Sequence, residues 1–301
     1  MLNIIKYYKL WFAVSALLFV IAVGALIAYG LNLGIDFKGG TLTELSFTGE
    51  QVPSAVEVKD ILSQNHFESI VQEAGDKKVI VRTPPQEKEQ HDQMLKVLSD
   101  RYSGVREDQF TSIGPVIGQE LANKAFYQLL LVSLGIILYI AYAFRKVTRP
   151  VSSWRFGLAA IVALIHDLFI VVGVFAVLGK FMNVEIDSLF VTALLTVLGF
   201  SVHDTIVVFD RIRENLRTRA GESLADIINS SITQTIVRSI NTSLTVIFVL
   251  TALLLFGGES IRYFVLALLI GIVAGTYSSI FIASPILLVW YNWDVRRKAR
   301  A

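Results

Sequence analysis

Long apolar runs alternate with polar ground along this chain, and their lengths decide what they are. A bilayer core about 30 Å thick requires roughly 20 consecutive apolar residues per helix. Six stretches meet that demand: residues 10–31, 125–144, 156–178, 189–209, 239–256 and 264–291. The first follows Lys6 and Lys9, as a secretory signal would. Its apolar run exceeds the roughly 7–15 residues of a signal peptide and no small-residue cleavage site follows it, so an uncleaved signal anchor is expected. Pro285 lies inside the sixth stretch, where it frees a carbonyl and predicts a kink.

Between the first two spans the pattern changes to the short periods of a water-soluble domain. Residues 41–47 mix polar and apolar positions like a half-buried strand. After Pro53, the residues Ala55, Val58, Ile61 and Leu62 recur at helical spacing. Residues 69–73 and 79–83 read as short strands around Gly75-Asp76. Pro84-Pro85 opens a second helix carrying Met94, Leu95 and Leu98 on one side, and residues 105–112 read as a last strand. The order β-α-β-β-α-β predicts a ferredoxin-like sheet. The expected fold is therefore a membrane-embedded, all-α bundle of six transmembrane helices, with a small α+β domain exported between helices 1 and 2. Its divisions are 1–34, the N-terminus with the first helix; 35–123, the exported domain; and 124–301, helices 2–6 with the tail.

Composition agrees. Hydrophobic residues make up 54% of the 301 positions and charged ones 17%, too little polar surface for a soluble globule. The net charge of +2 conceals a segregation. Residues 36–124 carry 15 acidic and 10 basic side chains (−5), and the remainder 10 and 17 (+7). Lys6, Lys9, Arg145, Lys146, Arg149, Arg155, Arg211, Arg213, Arg217, Arg219, Arg296, Arg297, Lys298 and Arg300 all fall on one side of six alternating crossings, against Lys180 and Arg262 in the opposite short loops. The excess of lysine and arginine places both termini in the cytoplasm and the 35–123 domain outside. The terminal basic run is expected to meet anionic lipid rather than nucleic acid. Residues 211–237, with Leu224, Ile227, Ile228 and Ile232 at helical spacing, predict an amphipathic helix on the membrane surface or against the bundle, or a contact with a cytoplasmic partner. There is no cysteine, so thiolate metal sites and a cysteine nucleophile are excluded. No phosphate loop, water-facing serine triad or metal-ligand spacing occurs, and no cofactor or metal is expected.

Ionisable groups at membrane depth are costly and point to function. His166-Asp167 lies in the third span, His203-Asp204 in the fourth, and Arg238 opens the fifth. Ser201, Asp204, Thr205 and Val208 share one helical face, as do Arg238, Asn241, Thr242 and Thr245. Facing each other, Asp204 and Arg238 would form an ion pair, with Thr242 donating to the carboxylate, that takes up and releases a proton as the arginine moves. Asp167 reads equally as a relay carboxylate or as a helix–helix hydrogen bond. His166 and His203 read as packing groups. Gly271, Gly275 and Ser279 form a small-residue stripe for close helix packing.

Several stretches resemble one family of protein-export membrane proteins, SecD/SecF. They are Gly34-Ile-Asp-Phe-Lys-Gly-Gly-Thr41, Ile113-Gly-Pro-Val-Ile-Gly-Gln-Glu120, Ser201-Val-His-Asp-Thr-Ile-Val-Val-Phe-Asp-Arg-Ile-Arg-Glu-Asn215 and Arg238-Ser-Ile-Asn-Thr-Ser-Leu-Thr245, in family order over nearly the whole chain. The His-Asp pair and the short exported segment are similar to the SecF branch. The resemblance implies one half of an RND-type transporter in the bacterial inner membrane, with SecD as the partner half supplying a further aspartate. It implies assistance to the SecYEG channel and SecA in moving preproteins, driven by protons or sodium ions. By position it implies an ion relay at Asp204, Arg238 and Thr242, and a junction motif at Asp36, Phe37, Gly39 and Gly40, where two glycines permit positive φ. That motif reads either as a hinge or as a rigid turn. An intramembrane aspartyl protease using Asp167 and Asp204, a passive scaffold of the translocon, and a small-molecule exporter half are the competing readings. Asp204→Asn separates the scaffold from the ion-coupled machine.

Overall fold

The computed structural model describes residues 3–49, 52–75, 77–145, 153–219 and 221–300. Asp76, Lys146 and Arg149 lie outside these, as do the side chains of Lys298 and Arg300. The chain divides into two compact units: Leu33–Tyr127 with Glu185–Ser188, and the remainder.

In the first unit, four strands form one antiparallel sheet: β1 (Gly40–Phe47), β2 (Ile70–Glu73), β3 (Lys78–Thr83) and β4 (Val105–Ile113), in the order β2-β3-β1-β4. With its two long helices in sequence this is the expected βαββαβ topology. Alternation sets which face is buried: Thr41, Thr43, Leu45 and Phe47 of β1 point inward, as do Val79, Val81 and Thr83 of β3. Three threonines, Thr41, Thr43 and Thr83, thus occupy inward positions that polarity alone assigns to water. A bulge at Glu44/Leu45 shifts the β1–β4 register.

One helix of this unit, Ala55–Gln64, starts at a reciprocal cap. Glu57 N–H donates to Ser54 Oγ at 3.3 Å and Ser54 N–H to Glu57 Oε2 at 2.9 Å. The other, Lys88–Arg101, begins three residues beyond Pro84-Pro85 rather than at it, because Gln90 Oε1 accepts the Glu87 N–H at 3.2 Å and fixes the first turn there. Val58, Leu62, Met94 and Leu98 from these helices meet Leu45, Phe47, Val79 and Val81 in one core. Two further helices belong to this account. A single turn, Ile35–Lys38, precedes β1, and a long helix, Pro115–Ala143, leaves β4. In chain order the helices are α1 (Tyr8–Tyr29), α2 (Ile35–Lys38), α3 (Ala55–Gln64), α4 (Lys88–Arg101), α5 (Pro115–Ala143), α6 (Ser153–Met182), α7 (Ser188–Thr218), α8 (Leu224–Phe256), α9 (Glu259–Ser278) and α10 (Ser284–Arg300).

Six helices among the described residues are long and apolar enough to span a bilayer: α1, α5, α6, α7, α8, and α9 with α10. Residues 211–237 do not form a separate surface helix. The helix α7 runs on to Thr218 and α8 begins at Leu224. Leu224, Ile228 and Ile232 are buried with Phe209 and Ile212 in the membrane unit's core, so the amphipathic pattern belongs to helix extensions held against the bundle. The kink expected at Pro285 takes the form of a π-helical turn, Ser279–Ala283, ending immediately before Ser284-Pro285. The proline ring cannot be accommodated by an unbroken α-helical ladder, and a wider turn relieves it. Ser284 Oγ–H donates to the Ser279 carbonyl at 3.1 Å, satisfying an acceptor in that turn.

Candidate functional site

Small residues let α9 approach α7. A Cβ at Gly271 would overlap the Val197 side chain, and one at Gly275 would lie 2.9 Å from Ser201 Cβ. The stripe read as a packing surface therefore has a definite partner, and it brings hydroxyls on two helices next to the acid of a third. Asp167, on α6, is 1% exposed. Its Oδ2 accepts hydrogen bonds from Ser201 Oγ of α7 and Ser278 Oγ of α9, each at 2.6 Å. Its Oδ1 lies 3.1 Å from Nδ1 of the neighbouring His166. The carboxyl thus ties three helices together. His166 is buried between the rings of Phe19 and Tyr277, and its Nε2 has no partner.

Asp204 differs. It is also buried, on α7, yet its Oδ2 has no hydrogen-bond partner. The hydroxyls of Ser239 on α8 and Ser279 in the π-helical turn lie close enough to interact with the carboxyl, and among the described residues Ser239 Oγ makes no well-formed hydrogen bond. Buried polar groups without close partners cost free energy, so this carboxyl is held less firmly than that of Asp167. Asp167 and Asp204 do not hydrogen-bond to each other, unlike a protease dyad sharing one proton.

The ion pair expected between Asp204 and Arg238 is not formed within this chain. Arg238 is exposed and makes no ion pair among the described residues, and Thr242 is exposed, with its Oγ1–H donating at 2.9 Å to the Arg238 carbonyl. The reason is rotation. One residue along a helix turns its side chain by about 100°. The face of α8 turned inward carries Ser231, Thr235, Ser239 and Ser243, while Arg238, Asn241, Thr242 and Thr245 point out of the bundle. The right helices are involved, one residue out of phase. A stripe of hydroxyls at four-residue spacing was the signal for the inward face. It was obscured because the outward face of α8 carries polar residues too.

The junction motif falls in the other unit. Phe37 is buried in α2, and Gly39 and Gly40 follow with φ of +77° and +140°. A Cβ at Gly39 would lie 2.8 Å from Pro115 Cα, and one at Gly40 2.9 Å from the Thr83 carbonyl oxygen, so both glycines are required by backbone conformation and by space. Asp36 Oδ2 accepts the backbone N–H of Ser188, the first residue of α7, at 2.8 Å. Residues around it that sequence reading passed over are Arg82 and Glu185, paired at 3.0 Å with side chains only 17% and 13% exposed. Burial holds the Glu185 carboxyl above the usual carboxylate range. The Arg82 guanidinium and Lys38 ammonium act against that rise, and Asp187 adds to it.

Comparison with known proteins follows the same two regions. The family described as "Protein export membrane protein SecD/SecF, C-terminal" matches residues 93–293, and the "SecD/SecF GG Motif" matches residues 24–50. A protein translocase subunit SecF from Thermobaculum terrenum is 48% identical, aligned over 99% of this chain and 96% of its own. The corresponding subunit from Pseudomonas aeruginosa is 38% identical over 93% and 88%. The longer SecDF of Bacillus subtilis is 35% identical, with 96% of this chain aligned to 38% of that one. Among solved structures, SecDF from Thermus thermophilus superposes with a TM-score of 0.84 at 34% identity, over 97% of this chain and 39% of the other. SecDF in its super-membrane-facing form gives 0.72 at 33% identity, over 99% and 40%.

Proposed function

Because the chain belongs to the SecD/SecF family, we propose that it is the SecF-type half of a SecDF translocase. In this reading it pairs with a SecD half and assists the SecYEG channel and SecA in carrying preproteins across the bacterial inner membrane. A proton or sodium gradient drives movement of the exported domain, which pulls or releases the emerging chain. Both termini are cytoplasmic and the 35–123 domain is exported, as the distribution of lysine and arginine requires.

The observation that carries the ion-coupled reading is Asp204: a buried carboxyl faced by the hydroxyls of Ser239 and Ser279, whose Oδ2 accepts no well-formed hydrogen bond among the described residues. Ser201 and Ser278 hold Asp167 Oδ2 in one setting, whereas no donor among the described residues fixes Asp204 Oδ2 in the same way. The outward face with Arg238 and Thr242 supplies the second part. An arginine that makes no ion pair among the described residues and lies on a helix of membrane length calls for an acidic partner elsewhere, and a SecD half is the natural source. SecDF proteins that continue beyond the region matched by this chain are consistent with that arrangement. Asp204, Arg238 and Thr242 then form the relay across the seam between halves, with Asp167 behind them as the carboxyl that orients α7 and α9.

Replacing Asp204 with Asn preserves shape and removes the titratable proton. In vesicles bearing the assembled complex, Asp204→Asn is expected to leave co-purification with SecD intact and to lower gradient-driven export by about tenfold or more. Export at the normal rate with Asn at 204 would establish the passive scaffold instead.

A further inference from the structure

Glu185–Ser188 is only four residues long, yet Glu185, Ile186 and Ser188 are each tied to the exported unit. Leu33 and Ile186 form a parallel β-bridge, and Gly34 N–H donates to the Ile186 carbonyl at 2.8 Å. A Cβ at Gly34 would come 3.1 Å from that same carbonyl oxygen, so the approach depends on glycine. Glu185 meets Arg82 of β3, and the Ser188 N–H meets the Asp36 carboxylate. A carboxylate at a helix N-terminus satisfies a donor that has no intrahelical partner and favours the positive end of the helix dipole. The segment therefore belongs to the exported unit, and its last residue, Ser188, is the first of α7. Asp204 stands sixteen residues further along the same helix.

We propose that Glu185–Ser188 is a rigid drive link through which displacement of α7 reaches the exported sheet, and that Asp36, Arg82 and Glu185 are positioning residues that keep it seated. The inference rests on the ion-coupled reading above and adds to it the route by which an event at Asp204 is felt in the exported domain. Two features favour a link over a loose connection. The ties come from three places, the residues before β1, β3 and the first turn of α2, so the segment cannot pivot about one of them. The Arg82–Glu185 pair is largely withdrawn from water, where an ion pair holds its geometry better than at the surface. The glycines of the junction serve the same end, since they allow tight backbone contact instead of flexibility.

The test separates ion flow from export in vesicles carrying the whole complex. Asp36→Ala, Arg82→Ala and Glu185→Ala are each expected to lower gradient-driven export about fivefold, with ion flux through the complex kept within about twofold of normal. The exchanged pair Arg82→Glu with Glu185→Arg is expected to recover at least about half of the lost export, which a variant that merely failed to fold would not do. The chain has no native cysteine, so Leu33→Cys with Ile186→Cys places a single disulfide across the bridge, where backbones lie about 5 Å apart. Export is expected to survive oxidation of that pair. Normal export in the single variants overturns the link, as does a joint fall of flux and export that the exchange fails to restore. Loss of export on oxidation, regained on reduction, overturns rigidity. Asp204→Asn measured alongside keeps the two readings apart: it removes flux and export together, whereas the link variants remove export alone.

Discussion

The two units bury opposite things. In the sheet domain, Leu45, Phe47, Leu62, Met94 and Leu98 are fully enclosed, while charged residues such as Lys59, Asp60, Lys88 and Glu89 face out. In the membrane unit, Leu17, Val20, Ile27, Leu131, Phe248 and Val249 are exposed, while Asp167, Ser201, Asp204, Ser239, Ser278 and Ser279 are enclosed. The solvent explains the inversion. Water drives apolar surface inward in the first case. Lipid gives apolar side chains no reason to leave the surface, so close packing and interhelical hydrogen bonds hold the second together.

The comparison breaks most visibly under truncation. Leu62→Ala removes a side chain with no exposure from a small core and is expected to destabilise the exported domain by about 2–5 kcal/mol, through lost transfer free energy and the cavity left behind. Leu131→Ala removes the same atoms from an α5 position that is 71% exposed and is expected to cost nearly nothing. Hydrogen exchange of domain amides in the full chain, compared between the variants, measures the difference. Equal effects would show that α5 is covered in the isolated chain.

Next in size is the insertion of volume where the membrane unit has none to spare. Gly275→Val places a side chain against Ser201 and forces α9 from α7, disturbing the Ser201–Asp167–Ser278 cluster as well. Overpacking of this kind costs about 1–3 kcal/mol. By contrast Gly24, in α1, has nothing within 4 Å of a built Cβ, and Gly24→Ala is expected to be neutral. Thermal unfolding in detergent, read as a shift in Tm, ranks the two; a neutral Gly275→Val would show that the helices separate freely.

How far the sequence could be read follows from the same inversion. In the sheet domain, periodicity gives the strands and the two longer helices because one face meets water, whereas the short helix α2, the start of α4 and inward threonines such as Thr41 and Thr43 carry no such signal. In the membrane unit the spans were legible by length, but their faces were not. Periodicity locates a buried face only when the exposed one is polar. On α8 both faces mix apolar and polar residues, so Arg238 and Thr242 were assigned to the seam that Ser239 occupies. The π-helical turn that brings Ser279 beside Asp204 lies before Pro285, where spacing rules based on 3.6 residues per turn no longer apply. Contacts such as Arg82 with Glu185 join residues 103 positions apart, and no local pattern announces them.

The smallest effect belongs to the water-facing side of the comparison, where charge replaces packing. Lys78 of β3 reaches Asp108 and Glu44, each at 2.8 Å, across the exposed face of the sheet. Hydrogen bonds to Asp108 and Glu44 raise the Lys78 ammonium above its usual range, and hydrogen bonds from Lys78 and Ser46 hold the Asp108 carboxyl below its own. A lysine with a raised folded pKa contributes stability that is complete below its unfolded pKa and disappears as pH rises through the folded value. An aspartate with a lowered folded pKa contributes stability that is complete above its unfolded pKa, about 3.9, and disappears as pH falls through the folded value. The cluster therefore acts at full strength across neutral pH and fails at both extremes. Lys78→Met is expected to lower the domain's stability slightly at pH 7, with the deficit shrinking in high salt and below about pH 4. Because these side chains stand partly in water, the effect should be the least of the three. A deficit unchanged from pH 7 to pH 3 would mean that Lys78 works through its methylene stem, and that packing outweighs charge on this face as it does in the core.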